Sequence, residues 1–192
     1  MFVTIRPMRK IFLFMMVSLD GYFEGPNHEL DWHNVDQEFE EFANHQLDQA
    51  DTLVFGRKTY DLMANYWPSE EGIKDNAATA ERMNALQKVV FSRSLKDAGW
   101  QNTTVFGENV VDTIRSLKEK PGKDIIVLAS SNLCLTLIKE GLLDQVRLMI
   151  NPVVLGKGTS LFVGLDRPYK FKLTNSRVFK SGNVLLDYDV SS

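Results

Sequence analysis

Seven apolar residues in a row, IFLFMMV at positions 11–17, constrain this chain more than any other stretch. The run is far too short to cross a bilayer, which takes about 20 residues, and no signal-peptide cleavage pattern follows it. It reads as a strand over residues 10–18, apolar on both faces, as parallel strands are when helices cover both sides of the sheet. The rest of the chain supplies those helices. Phe39, Phe42, Ala43 and Leu47 recur near helical spacing and predict a helix over 36–47. Strands at 52–55, 88–91, 103–106 and 124–129 alternate with helices at 59–65, 78–86, 110–118 and 132–140, the last stopped by Gly141. After Trp67-Pro68, residues 69–77 read as a polar surface loop. A long strand over 145–155 carries Pro152, which predicts a bend or bulge there. The end departs from the alternation: strands at 169–179 and 184–190 flank Lys180-Ser181-Gly182-Asn183 and read as a hairpin. The predicted class is therefore α/β, a mostly parallel central sheet between helical layers with a C-terminal antiparallel hairpin. A chain of 192 residues makes one such domain, with residues 1–7 ahead of Met8 reading as an N-terminal extension.

A net charge of −3 gives no general attraction to nucleic acid or to an anionic membrane, so neither is an expected partner and any phosphate site must be local. The single cysteine, Cys134, rules out a disulfide within the chain, argues against a thiolate zinc site and fits a reducing, cytoplasmic compartment. Leu133, Leu135 and Leu137 around it mark a buried, small apolar role. No metal is expected.

In a parallel sheet, ligands bind at the carboxyl ends of the strands, and that is where the unusual residues fall. The first strand runs into Ser18-Leu19-Asp20-Gly21-Tyr22 and the second into Gly56-Arg57-Lys58-Thr59. The third meets Ser92-Arg93-Ser94, the strand at 124–129 meets Ser130-Ser131-Asn132, and the long strand meets Leu155-Gly156-Lys157-Gly158-Thr159. A helix start carries free N–H groups and partial positive charge, so Arg57 and Lys58 there invite an anion from outside. Taken singly, each piece has a plain reading. Gly56–Thr59 is a turn with solvated cations, Ser92 caps a strand end, and Ser130–Asn132 is an N-cap cluster. Gly156-Lys157-Gly158 lacks the third glycine of a dinucleotide fingerprint and follows a late strand, so it is not a Rossmann loop. Together they place arginines, lysines, hydroxyls and helix N-termini on one edge, a composition suited to a ligand with several phosphates.

The stretches VSLDGYFEG, FGRKTYD, YWP, KVVFSRSL, LKEKPGKDIIVLASS and GLLDQVRLMINPVVLGKGTSLF, taken in order, resemble the dihydrofolate reductase-like superfamily. They are most similar to the reductase domain of the riboflavin-biosynthesis deaminase–reductase and its stand-alone bacterial relatives. The resemblance implies the dihydrofolate reductase-like three-layer fold, a homodimer and NADPH as cofactor. It implies that Gly56, Arg57, Lys58 and Thr59 bind the dinucleotide phosphates and that Ser92 and Arg93 hold the 2′-phosphate. It places Val17, Ser18 and the stretch Ala129, Ser130, Ser131, Asn132, Leu133 against the cofactor. Arginine suits this role because its planar fork binds phosphate bidentately. The family is usually glycine-rich where this chain has Ala129-Ser130-Ser131, and a Cβ there crowds the pyrophosphate.

On the substrate side the resemblance points to Asp20, Gly21, Trp32, Leu155 and Gly156, with the loop over 23–33 as a lid. The related reductases carry an acid after a tryptophan; Trp32 and Asp36 are the nearest match, at a different spacing. Asp36 reads first as an N-cap, and Asp20 reads equally as a turn residue beside Gly21. These two are the candidate catalytic carboxylates. His28 and His33 read as solvent-exposed, and His45 as lying on a helix surface. The implied activity is hydride transfer from NADPH to a small heterocyclic acceptor of the riboflavin-pathway pyrimidine type, 5-amino-6-(5-phosphoribosylamino)uracil reductase-like. With one cysteine, the chain has no room for the pathway's zinc deaminase. The alternatives are an NADP(H)-binding module without turnover and a dihydrofolate or pterin reductase.

Overall fold

The computed structural model describes residues 9–191; the predicted extension over 1–7 lies outside them. Six strands run parallel. In spatial order they are β5 (Thr103–Phe106), β4 (Gln87–Phe91), β3 (Ala50–Gly56), β6 (Asp124–Leu128), β1 (Ile11–Ser18) and β7 (Gln145–Asn151). The hairpin of β9 (Phe171–Val178) and β10 (Val184–Val190) joins through β10, which lies antiparallel to β7. Helices α1 (Gln37–Asp48), α2 (Arg57–Tyr66) and α4 (Ala77–Ala85) cover one face, while α5 (Val110–Glu119) and α6 (Ser131–Lys139) cover the other. Every residue of β1 is buried, as its unbroken apolar run requires.

Alternate β1 side chains feed two cores. Phe12, Phe14 and Met16 pack with Phe55 and Tyr60, whereas Ile11, Leu13, Met15 and Val17 pack with Ile114, Leu133 and Leu137. Three features differ from the sequence expectation. Residues 69–77 are not a loop: α3 (Glu70–Asp75) forms there, capped by the Ser69 hydroxyl, which accepts the Gly72 amide at 3.1 Å. Ser69 followed by two glutamates is a helix start, a signal overridden by the polarity of the stretch. Strand β7 stops at Asn151 rather than at 155, because Pro152 has no N–H for the ladder. Finally, β2 (Tyr22–Glu24) and β8 (Thr159–Ser160) form a two-stranded ribbon that the sequence did not announce. Gly158 permits it: a Cβ there would stand 2.2 Å from the Glu24 carbonyl oxygen.

The amino ends of the strands are tied together. Arg9, almost fully buried, donates to the Lys123 carbonyl at 2.6 Å, to the Thr52 hydroxyl at 2.9 Å and to the Asp51 carboxylate. These contacts close the amino edge over β1, β3 and β6.

Candidate functional site

Because β4, β3, β6, β1 and β7 are parallel, the motifs that follow them lie side by side on one edge in that order. Five strands at roughly 4.8 Å spacing make an edge about 19 Å long, suited to an extended ligand. Three helices begin on this edge, and none has a side-chain cap: α2 after Gly56, α5 after Asn109 and α6 after Ser130. Helices α1, α3 and α4, which begin away from strand ends, are capped by Asp36, Ser69 and Asn76. Free N–H groups are thus concentrated where an anion would bring the acceptors.

At the β4 end, Ser92 and Arg93 line a cavity of about 490 Å³ shared with Gly107, Glu108 and Asn109. The Arg93 side chain is 87% exposed and stands 4.0 Å from Glu108, so water screens the pair and the guanidinium can turn to a ligand. The Ser92 hydroxyl accepts the Leu95 amide at 3.0 Å and shapes the turn that presents Arg93. A second cavity, of about 640 Å³, opens at the opposite edge around Lys10, Asp144 and Arg167. It touches none of the strand-end motifs.

In the middle, Arg57 opens α2 and its Nε donates to Asp61 at 2.6 Å, an exposed intrahelical pair that leaves the other guanidinium donors available. Lys58 is exposed. Ala129 and Ser130 both have left-handed backbones, with φ of 51° and 68°. Each costs about 1–2 kcal/mol in a residue other than glycine. The Ser130 hydroxyl accepts the Gly56 amide at 2.7 Å and lies 3.1 Å from the Thr59 hydroxyl. Gly56 lets Ser130 come this close: a Cβ there would stand 2.7 Å from the same oxygen and would push the serine side chain aside. Ser131 and Asn132 form the first turn of α6, and Leu133 turns inward to the core.

At the β1 and β7 ends the two candidate carboxylates have other employment. Asp20 accepts from the Ser18 hydroxyl at 2.7 Å, the Leu155 amide at 3.1 Å and the Gly156 amide at 2.7 Å. The Ser18 hydroxyl first, then these amides, hold its carboxyl below the usual range. It is a clamp between two loops and an acceptor, not a proton donor at neutral pH. Asp36 caps α1 by accepting the Phe39 amide at 2.8 Å. Trp32 is held edge-on against His33, and its Nε1 donates to the Glu29 carbonyl at 3.0 Å, so it anchors the 23–33 loop. Gly21 takes the left-handed turn after Asp20. Ser18 and Val17 are buried beneath that turn.

Two further findings were not in the sequence reading. His33 is not solvent-exposed: its Nε2 is buried without a hydrogen-bond partner, and burial pushes the imidazole down to about 4. Its neighbour Asn34 is the hub of three asparagines. The Asn34 amide donates to Asn151 at 2.8 Å, Asn183 donates to the Asn34 carbonyl at 2.7 Å, and Asn34 donates to the Ser181 carbonyl at 3.0 Å. Asn151 and Asn183 are fully buried, and together they fix the loop before α1 against β7 and the hairpin. Nothing in the sequence announced this hub, because its members are far apart along the chain. His28 is exposed and pairs with Glu24 at 2.9 Å when protonated, and His45 is exposed on α1. Cys134 is buried and its thiol is pushed up to about 12, which makes it inert. Among the described residues there is no cluster able to hold a metal ion and no helix long and apolar enough to cross a membrane.

The RibD C-terminal domain family matches the chain over residues 9–185. The uncharacterized protein YyaP of Bacillus subtilis is 37% identical over 183 residues, covering 94% of each chain. Among solved structures, a putative riboflavin biosynthesis protein from Shewanella sp. PV-4 superposes with a TM-score of 0.73 at 23% identity, covering 95% of this chain and 99% of that one. A diaminohydroxyphosphoribosylaminopyrimidine deaminase/5-amino-6-(5-phosphoribosylamino)uracil reductase from Thermotoga maritima superposes with a TM-score of 0.69 at 16% identity, over 96% of this chain and 57% of its own.

Proposed function

The chain belongs to the RibD C-terminal domain family, and from that premise we propose that it is an NADPH-dependent reductase of a small pyrimidine-type heterocycle. The observation that carries the reading is the order of groups along the carboxyl edge. Exposed arginines and uncapped helix starts lie at the β5–β4–β3–β6 end, and a turn tightly hydrogen-bonded around the Asp20 carboxylate, with no arginine and no helix start, lies at the β1–β7 end. A dinucleotide with phosphates at one end and a neutral nicotinamide ring at the other matches that polarity.

NADPH, when bound, would supply the hydride. The chain's own residues bind and orient. Arg93 and Ser92 would hold the 2′-phosphate in the 490 Å³ cavity, and Arg57 with the starts of α2 and α6 would hold the pyrophosphate. Asp20 keeps the two loops beside the β1 and β7 ends in fixed relation, and the asparagine hub holds the substrate-side loop. Such fixed relations position a reactive carbon against an acceptor.

The test is turnover: NADPH oxidation with a ribosylamino-pyrimidine phosphate as acceptor. The rival, a nucleotide-binding module without turnover, is favoured by one observation, the engagement of both carboxylates in structural hydrogen bonds. NADPH binding without oxidation by any reducible pyrimidine or pterin supports that rival.

A further inference from the structure

Strand β3 leads into α2 on one face of the sheet, and its neighbour β6 leads into α6 on the other. The crevice between them is the topological switch point, where an open α/β sheet admits a ligand. One side chain stands in it. We propose that the Ser130 hydroxyl is a built-in stand-in for a phosphate oxygen, and that a pyrophosphate-bearing nucleotide seats only when this side chain turns out of the crevice. The inference rests on the nucleotide reading above and deepens it by naming the residue that sets the affinity.

Three observations carry it. First, the donors are the ones a phosphate needs. The Gly56 amide donates to Ser130 Oγ at 2.7 Å, and the Thr59 hydroxyl, a group able to donate to a phosphate, lies 3.1 Å from the same oxygen, so one neutral oxygen occupies the meeting point. Second, the hydroxyl stands directly in front of the amide. Ser130 Oγ takes the Gly56 N–H at 2.7 Å and lies so close to β3 that a Cβ at Gly56 would stand 2.7 Å from it, so an anion that takes this amide must displace the hydroxyl. Third, the exchange favours an anion. The uncapped starts of α2 and α6 flank the crevice, and hydrogen bonds to a charged phosphate are about twice as strong as those to a neutral hydroxyl. The left-handed backbone at Ser130 aims the side chain at β3; glycine takes the same backbone and leaves the donors open.

The experiment is calorimetric titration with NADPH at fixed salt of the wild type, Ser130→Gly and Ser130→Ala. Melting of each protein alone checks the fold, and the alanine variant serves if glycine loosens the turn. Removing the competing hydroxyl should tighten binding about tenfold in Ser130→Gly, the equivalent of roughly 1.4 kcal/mol, and by less in Ser130→Ala, which keeps its Cβ. Equal or weaker binding by both variants, with the wild type binding normally, overturns the inference and leaves the nucleotide reading standing. Absence of binding by all three proteins removes the nucleotide reading, and this inference with it.

Discussion

Asp20 accepts the amide hydrogen of Gly156 at 2.7 Å and so ties the turn after β1 to the loop after β7, across 136 residues of sequence. The same carboxylate takes the Leu155 amide at 3.1 Å. Its depressed pKa means that the clamp is present at neutral pH and is lost only as pH falls through the folded-state value. Asp20→Ala should therefore speed hydrogen exchange at Leu155 and Gly156 by about tenfold or more and lower turnover. NADPH affinity should stay within about threefold, because the phosphate groups are held by other strands. Unchanged exchange at both amides would show that the clamp holds nothing.

His33 makes a second, pH-linked prediction. Its imidazole sits at about 4 in the folded chain against an ordinary 6.5, because burial disfavours the charged form. Between those values the unfolded chain binds a proton that the folded chain refuses, so stability is lost as pH falls through this window. The full effect is roughly 3 kcal/mol. Urea unfolding of wild type and His33→Gln between neutral pH and pH about 4 should show that much less slope in the variant. Identical slopes would mean that His33 is hydrated.

The two edges of the sheet should respond differently to loss of an arginine. Arg9 is buried and joins β1, β3 and the chain before β6, so Arg9→Met should cost about 2–3 kcal/mol in unfolding free energy by leaving the Lys123 and Leu117 carbonyls and the Thr52 hydroxyl without this donor, while Asp51, partly exposed, keeps the Lys123 amide. Arg57 is a half-exposed intrahelical partner of Asp61, so Arg57→Ala should cost under about 1 kcal/mol. Chemical denaturation of both variants checks the contrast, which reverses when nucleotide binding is the readout.

The homodimer implied by the family resemblance has a surface to form on. Leu148 and Ile150 of β7, Val184, Leu186 and Tyr188 of β10, and Leu173 and Val178 of β9 point to one face in register. Leu173 is 51% and Val178 74% exposed. Those rows carry no charged residue, so a second copy can pack on them without setting like charges together, at the roughly 10 Å spacing of stacked sheets. Sedimentation should show a dimer that Leu173→Asp and Val178→Asp convert to monomer; a wild-type monomer at micromolar concentration would contradict this.

The strand-end motifs were legible because a parallel sheet sends every carboxyl end to the same edge, so local sequence order becomes spatial order. The turn after β1 and the basic turn at Gly56–Lys58 were readable for that reason, β1 from its unbroken apolar run and the hairpin from its turn residues. Helix α3 was not, because its polar surface outweighed the cap at Ser69 in a window too short for periodicity. The asparagine hub was hidden by distance: Asn34 meets Asn151 and Asn183 across 117 and 149 residues. His33 was read as exposed because no second cluster pairs with it in the sequence, when its burial is set by tertiary packing. The closure of Ser130 onto Gly56, 74 residues away, likewise exists only once β3 and β6 are neighbours.

The central claim is that this edge binds NADPH through its arginines. The most direct test is calorimetric titration of the purified protein with NADPH and with NADH at one salt concentration, repeated for Arg57→Ala and Arg93→Ala. The account predicts that NADPH binds more tightly than NADH, and that each variant loses about 1.5–3 kcal/mol of NADPH binding. Arg93→Ala should also erase most of the preference for the phosphorylated cofactor. Equal binding of the two cofactors, or NADPH binding untouched by either substitution, would contradict it.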